Sequence, residues 1–229
     1  MAGLQAENKE CLLYNLERIS YTEALAIQHQ LHQKCVAGDL PGVLVLLEHD
    51  PVITAGVRSS SGNVLVSREV LRREGVELVE TDRGGDVTYH GPGQLVGYPI
   101  VRVRELGGDL HSYLRGLEES IILALGRFGL TGERNGPAGV WVDGRKICSI
   151  GVAVRRWVTY HGFALNVDPN MSHFSLINPC GLNVSNMTSI SSLTGSSPSM
   201  DAVRDACAWG FSEVFGVSLK KWQGEGLEL

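Results

Sequence analysis

The 229-residue chain carries 20 lysine and arginine residues against 25 aspartate and glutamate, for a formal net charge of −5 and a pI near 5.8. That balance argues against a nucleic-acid-binding protein, which shows a basic stripe, and no apolar run approaches the roughly 20 residues of a membrane span. With 43% hydrophobic residues the chain can bury a substantial core.

The five cysteines (Cys11, Cys35, Cys148, Cys180 and Cys207) form no C-x-x-C pair. This speaks against a disulfide framework or a structural zinc site and for a reducing compartment. The amino terminus has no signal-peptide core. A cytoplasmic location, no metal and no cofactor are the expectations.

In chain order, residues 12–18 read as a strand. Ser20 with Glu23 forms a capping box, and Ala24, Ile27, Leu31 and Cys35 share the helical face that follows, with Gly38 as its stop. His29 and His32 flank that face as solvated side chains. Val43–Leu47 is a buried strand, Val52–Thr54 a second, and Ser67 caps a short helix ended by Gly75. Val76–Glu80 then leads into a glycine-rich stretch. Asp109 opens the clearest helix, with Leu110, Tyr113, Leu117, Ile121, Ala124 and Phe128 on one face and Gly129 as terminator.

Asp143-Gly144, between two strand-like arms, signals a hairpin and makes Lys146 an early residue of the second arm. That arm runs Ile147–Val154, interrupted at Gly151, and another follows over Val158–Val167. Residues 170–180 look like a helical turn, and 185–199 like a Ser/Thr-rich connection. The last helix carries Val203, Cys207, Phe211 and Val214 on one side. The fold class expected is α+β, mixed β-sheets packed with helices, as a single domain over 1–229 with frayed ends near 1–10 and 223–229.

The chemistry centres on Arg83 to Ile100. Five glycines keep this backbone bare, which admits close approach of a ligand to main-chain N–H groups. Arg83, Thr88, Tyr89, His90 and Gln94 are spaced through it. Cys180, held between Pro179 and Gly181, is the best nucleophile candidate, because that corner leaves a thiol accessible. Cys35 and Cys207 sit within apolar periodic runs and read as core. A thiolate needs a nearby cation, and Lys146 among hydrophobic neighbours supplies one, with a lowered pKa that suits it to proton exchange. His90 and His161 are rival bases. Cys148, two residues beyond Lys146, falls on the same side of the strand by period and reads as pocket lining. No P-loop spacing is present.

Three ordered motifs resemble the octanoyltransferase family of lipoate biosynthesis. They are Arg83-Gly84-Gly85 through Gln94; Gly139-Val140-Trp141 with Arg145 to Gly151 and His161 to Asn166; and Asn178-Pro179-Cys180-Gly181 with Thr188-Ser189. The resemblance implies a fold shared with biotin and lipoate protein ligases. It implies transfer of an octanoyl chain from octanoyl-acyl carrier protein to a lysine of lipoyl domains, in the E2 subunits of 2-oxoacid dehydrogenases and the glycine cleavage H protein. The acyl group would pass through a thioester on Cys180, with Lys146 lowering its pKa.

By the same resemblance, Arg83, Gly84, Gly85, Asp86, Val87, Thr88, Tyr89 and His90, with Ser149, Ile150, Gly151, Gly162, Phe163 and Ala164, bind substrate; His161 is a possible accessory. A monomer is expected. Both protein substrates are acidic, so Arg58, Arg155 and Arg156 are candidates for a local basic docking patch. Two alternatives are an ATP-dependent lipoate-protein ligase and a non-catalytic lipoyl-domain or acyl-carrier binding module.

Overall fold

The computed structural model describes residues 9–106, 108–136, 138–178 and 184–227. Strand β1 (Lys9–Ile19) leads into helix α1 (Tyr21–Ala37), whose start is fixed by the expected capping box. Ser20 Oγ accepts the Glu23 N–H at 3.2 Å, and Glu23 Oε2 accepts the Ser20 N–H at 3.1 Å. Gly38, at φ 93°, ends the helix in the left-handed region. Strand β2 (Val43–His49) follows, then β3 (Val52–Ala55), the short helix α2 (Arg68–Arg73) and strands β4 (Glu77–Glu80), β5 (Val87–His90) and β6 (Gln94–Ile100).

Helix α3 (Leu110–Gly126) is capped by Asp109, which accepts the Ser112 N–H at 2.9 Å. It stops at Gly126, short of Gly129, and Leu110 is 42% exposed, so the buried stripe begins at Tyr113. Strands β7 (Gly139–Val142), β8 (Arg145–Arg155) and β9 (Val158–Asn166) form a meander. The remaining elements are α4 (Ile190–Thr194), α5 (Met200–Phe215) and β10 (Val217–Lys221). Helix α4 lies inside the stretch read as a plain connection. Strand β10 was not expected at all; it pairs parallel to β1 at the sheet edge.

Seven strands make the main sheet in the order β10-β1-β2-β6-β9-β8-β7, and β4-β3-β5 make a smaller one. Strand β2 is buried on both faces, which explains its uninterrupted apolar run. Leu44 and Leu46 face a core with α3 and α5, while Val43, Val45 and Leu47 face α1. A third cluster fills the small sheet, from Ile53 and Leu71 to Phe174 on a short 3-10 helix (Met171–Leu176). Cys35 and Cys207 are buried in these cores, as their periodicity indicated. His32 Nε2 lies 3.0 Å from the Arg155 carbonyl, whereas His29 is exposed.

At the borders of the described residues the chain is held by pairing and packing. Lys9 already pairs with Val217, Trp222 stacks edge-on with Tyr14 at 5.3 Å, and Leu227 packs on the α1 cluster. Among the described residues no helix is long and apolar enough to cross a membrane.

Candidate active site

The β7–β8 turn places the lysine. Asp143 (φ 49°) and Gly144 (φ 71°) both adopt left-handed backbone, the requirement of a tight hairpin turn matched to strand twist. Val140 then pairs with Cys148, but Trp141 pairs with Lys146, so Ile147 is an extra residue on β8. This bulge reverses the alternation between Lys146 and Cys148. Lys146 is buried against the cavity described below, with Nζ 5.6 Å from the centroid of the Trp141 ring. Cys148 instead faces the α3/α5 core, where burial pushes its thiol up to about 12, against the lowering influence of Lys146. Cys148 is therefore not pocket lining; a strict period of two fails across the bulge.

The glycine-rich stretch folds over β8. The Gly84 N–H donates to the Val152 carbonyl at 3.0 Å. A side chain at Gly151 would bring its Cβ within 2.6 Å of the Gly84 carbonyl oxygen. Gly151 thus does not interrupt β8; it permits this contact, and its own cross-strand partner is Gly162. Arg83 is buried and clamps the loop to β3, donating from Nε and Nη2 to Thr54 Oγ1 (3.0 and 2.9 Å) and from Nη2 to the Thr54 carbonyl (2.7 Å).

Between these parts lies a cavity of about 90 Å³. Thirteen of the fourteen residues expected at the pocket line it: Arg83, Gly84, Gly85, Asp86, Val87, Thr88, His90, Ser149, Ile150, Gly151, Gly162, Phe163 and Ala164. His161 and Lys146 line it too. Tyr89 does not. Its side chain falls on the other face of β5, edge-on to Phe174, with its hydroxyl 2.8 Å from His173 Nδ1.

Sequence reading missed Tyr21, Val96, Tyr98, Ala138 and Met187 at this cavity. Val96 and Tyr98 follow Gln94 at period two on β6, a readable signal; the others come from distant elements. Arg58 stands at the cavity rather than beside Arg155 and Arg156, which border a separate groove with His29 and His32.

Three buried histidines cluster beside or in the cavity, and their hydrogen bonds fix their tautomers. His49 Nδ1 donates to the Ile19 carbonyl (3.1 Å), leaving Nε2 to accept from the Tyr98 hydroxyl at 2.6 Å. His161 Nε2 donates to Asp82 Oδ1 at 3.0 Å. Burial pushes both imidazoles down to about 4, so both are neutral near pH 7. His90 is lowered as well, first by burial and then by His49. His161 holds a left-handed backbone, φ 57°, with its N–H bonded to Gln28 Oε1 at 2.8 Å. Strain of this kind in a non-glycine residue is maintained only by firm surroundings.

Pro179, Cys180 and Gly181 lie outside the described residues. On the near side, the Asn178 N–H donates to the Asn63 carbonyl at 2.8 Å. On the far side, Met187 forms a parallel bridge with Lys146, and the Thr188 N–H donates to the Lys146 carbonyl at 2.9 Å.

Solved structures that share this architecture include two ligases. A lipoate-protein ligase A bound with ATP superposes with a TM-score of 0.80 at 20% identity, covering 93% of this chain and 89% of that one. Biotin protein ligase from Aquifex aeolicus, in complex with biotin and ATP, gives 0.56 at 14% identity, covering 89% and 70%. At such identities the likeness defines the fold class alone, the mixed α+β arrangement of these ligase catalytic domains.

The family described as the lipoyl protein ligase A/B catalytic domain matches residues 20–212. An octanoyltransferase from Caldicellulosiruptor saccharolyticus is 45% identical over 216 residues, 93% of this chain and 92% of its own. The chain belongs to the lipoyl protein ligase A/B catalytic-domain family, on its octanoyltransferase branch.

Proposed function

We propose that the chain transfers an octanoyl group from octanoyl-acyl carrier protein to a lysine of lipoyl domains, those of E2 subunits and of the glycine cleavage H protein, through a thioester on Cys180. The observation that carries the reading is the setting of Lys146. A buried lysine faces a cavity walled by bare backbone, and its main chain is bonded to the segment that returns seven residues after Cys180.

In this reading the Lys146 ammonium favours the Cys180 thiolate. The thiolate attacks the carrier thioester, a new C–S bond forms, and the old one breaks with its electron pair on the carrier sulfur. Lys146 supplies the proton that the departing thiolate takes up. Backbone N–H groups of the glycine-rich wall offer donors to the tetrahedral oxyanion, where one donor is typically worth about 10²–10³ in rate. The cavity's apolar parts, Val87, Val96 and Ile150, suit an acyl chain, each buried methylene contributing about 0.8 kcal/mol. The donor is already a thioester, so ATP has no part. The same reading has a monomer acting in the cytoplasm without a cofactor.

Incubation with octanoyl-acyl carrier protein in the absence of ATP, followed by intact mass spectrometry and peptide mapping, is the test. An octanoyl adduct on Cys180 that a lipoyl domain discharges is expected, and Cys180→Ala abolishes it. Lys146→Ala slows acylation chiefly below about pH 8, where the thiol is protonated without its cation. Adenylate formation with ATP and no need for Cys180 would indicate a ligase. A folded protein that takes no adduct would indicate a binding module.

A further inference from the structure

A continuous buried chain of polar side chains runs behind the cavity. His90 Nδ1 lies 2.7 Å from Gln94 Oε1; Gln94 Nε2 reaches Asn166 Oδ1 at 2.9 Å and the Tyr89 carbonyl at 3.2 Å; Asn166 Nδ2 reaches the Thr188 carbonyl at 2.9 Å. The Thr188 N–H in turn bonds the Lys146 carbonyl. His90, Gln94, Asn166 and Thr188 are all buried.

The two backbone carbonyls settle both amide orientations, because a carbonyl only accepts. With each amide nitrogen committed to a carbonyl, Gln94 Oε1 must face His90 Nδ1. The imidazole therefore carries its proton on Nδ1, and Nε2 keeps a lone pair in a side chain that lines the cavity.

We propose that His90 Nε2 accepts the proton of the incoming lysine ammonium, and that Gln94 and Asn166 are the positioning residues that hold it in the tautomer able to do so. The proposal rests on the transfer reading above. An ammonium has donors only and is no nucleophile until one proton leaves. Lys146, once solvent has restored the proton it gave to the carrier sulfur, has donors only. Loss of one proton to His90 frees the amine lone pair, which forms the C–N bond to the thioester carbonyl. The C–S bond breaks with its pair on sulfur, and the second nitrogen-bound proton goes to that sulfur; His90 returns its proton to solvent.

The groups facing His90 keep it unprotonated at rest and make its imidazolium short-lived. Tyr21 of α1 stacks on it at 6.1 Å, His49 at the end of β2 lies 5.7 Å away, and Arg83 and His161 oppose a charge on it. Lys146, Asp86 and Tyr98 share the cavity. Burial and these neighbours keep the imidazole neutral at rest and disfavour its cation, so the proton it takes is held only briefly before solvent receives it.

The test separates the two half-reactions. Isolated wild-type octanoyl-enzyme is mixed with a lipoyl domain across a pH series, and the imidazole nitrogens of the resting enzyme are assigned by NMR. His90 should show the Nδ1–H tautomer. His90→Asn, which keeps a donor for Gln94 but has no Nε2, should slow amine transfer by about 10²-fold more than acylation. Gln94→Glu, whose carboxylate stabilises the imidazolium, should move the acidic limb of the transfer rate to higher pH. An Nε2–H tautomer in the wild type, or equal slowing of both halves by His90→Asn, would overturn the proposal. If wild-type enzyme takes no octanoyl group before acceptor is added, the transfer reading itself fails and the proton role falls with it, while the tautomer is still read independently.

Discussion

Gly97 and Gly162 show how closely strands β6 and β9 are matched at the cavity wall. A methyl group on Gly97 would lie 2.2 Å from Cζ of the Phe163 ring, and one on Gly162 would lie 2.1 Å from the Gly97 carbonyl oxygen. The obstacles differ in kind. A ring can turn about its side-chain torsions, but a ladder carbonyl moves only if the sheet does. Gly97→Ala is therefore expected to cost about 1–3 kcal/mol, the usual range for overpacking, and Gly162→Ala more. Urea denaturation of the two variants decides it; an equal or smaller loss for Gly162→Ala would mean that the strand pair yields more readily than this geometry allows. Gly162→Ala should also impair acyl transfer, since its backbone forms part of the cavity lining.

Strand β8 carries its function through a single irregularity. The extra residue Ile147 sends Lys146 to the cavity and Cys148 to the helices. Cys148→Ser is thus expected to leave octanoyl-enzyme formation near wild type while destabilising the fold by about 1–3 kcal/mol, the cost of burying a poorly paired hydroxyl. Loss of acylation in a fully folded variant would place Cys148 at the site after all. The bulge was not legible in the sequence, because one additional residue leaves no trace in composition or spacing. Features made by near neighbours were legible: the Ser20–Glu23 box, the Asp109 and Ser67 caps, the Asp143-Gly144 turn and hence the position of Lys146. Strand β10 escaped notice because an edge strand ending in Lys220-Lys221 lacks the apolar pattern of a central one. Of the site, one contiguous stretch and the glycine-marked strand ends could be read. Tyr21 and His49 could not be joined to it, since only the packing of α1 and β2 brings them there.

At the scale of the whole molecule, the histidines lie where three units meet: His90 on the small sheet, His49 and His161 on the large one, with Tyr21 of α1 among them. Each is buried and neutral, so this junction is sensitive to acid. His49 and His161 titrate near 4 in the folded chain, against about 6.5 when unfolded. Between those values the unfolded chain binds more protons, and stability rises with pH. The contribution is whole above about pH 6.5 and is lost as pH falls toward the folded value; it is on the order of 3 kcal/mol per histidine. Two such terms are comparable to the net stability of an ordinary domain, about 5–15 kcal/mol. Urea midpoints should therefore fall steeply from about pH 7 to about pH 4.5. Carboxylates contribute to any acid transition, so a variant must isolate the imidazole. His49→Asn keeps a donor for the Ile19 carbonyl but does not titrate. It should be less stable than wild type near neutrality, having lost the Tyr98 contact, and should lose less on acidification, its slope lower by about one bound proton. A slope equal to that of wild type would show that His49 is not one of the groups whose protonation opens the junction.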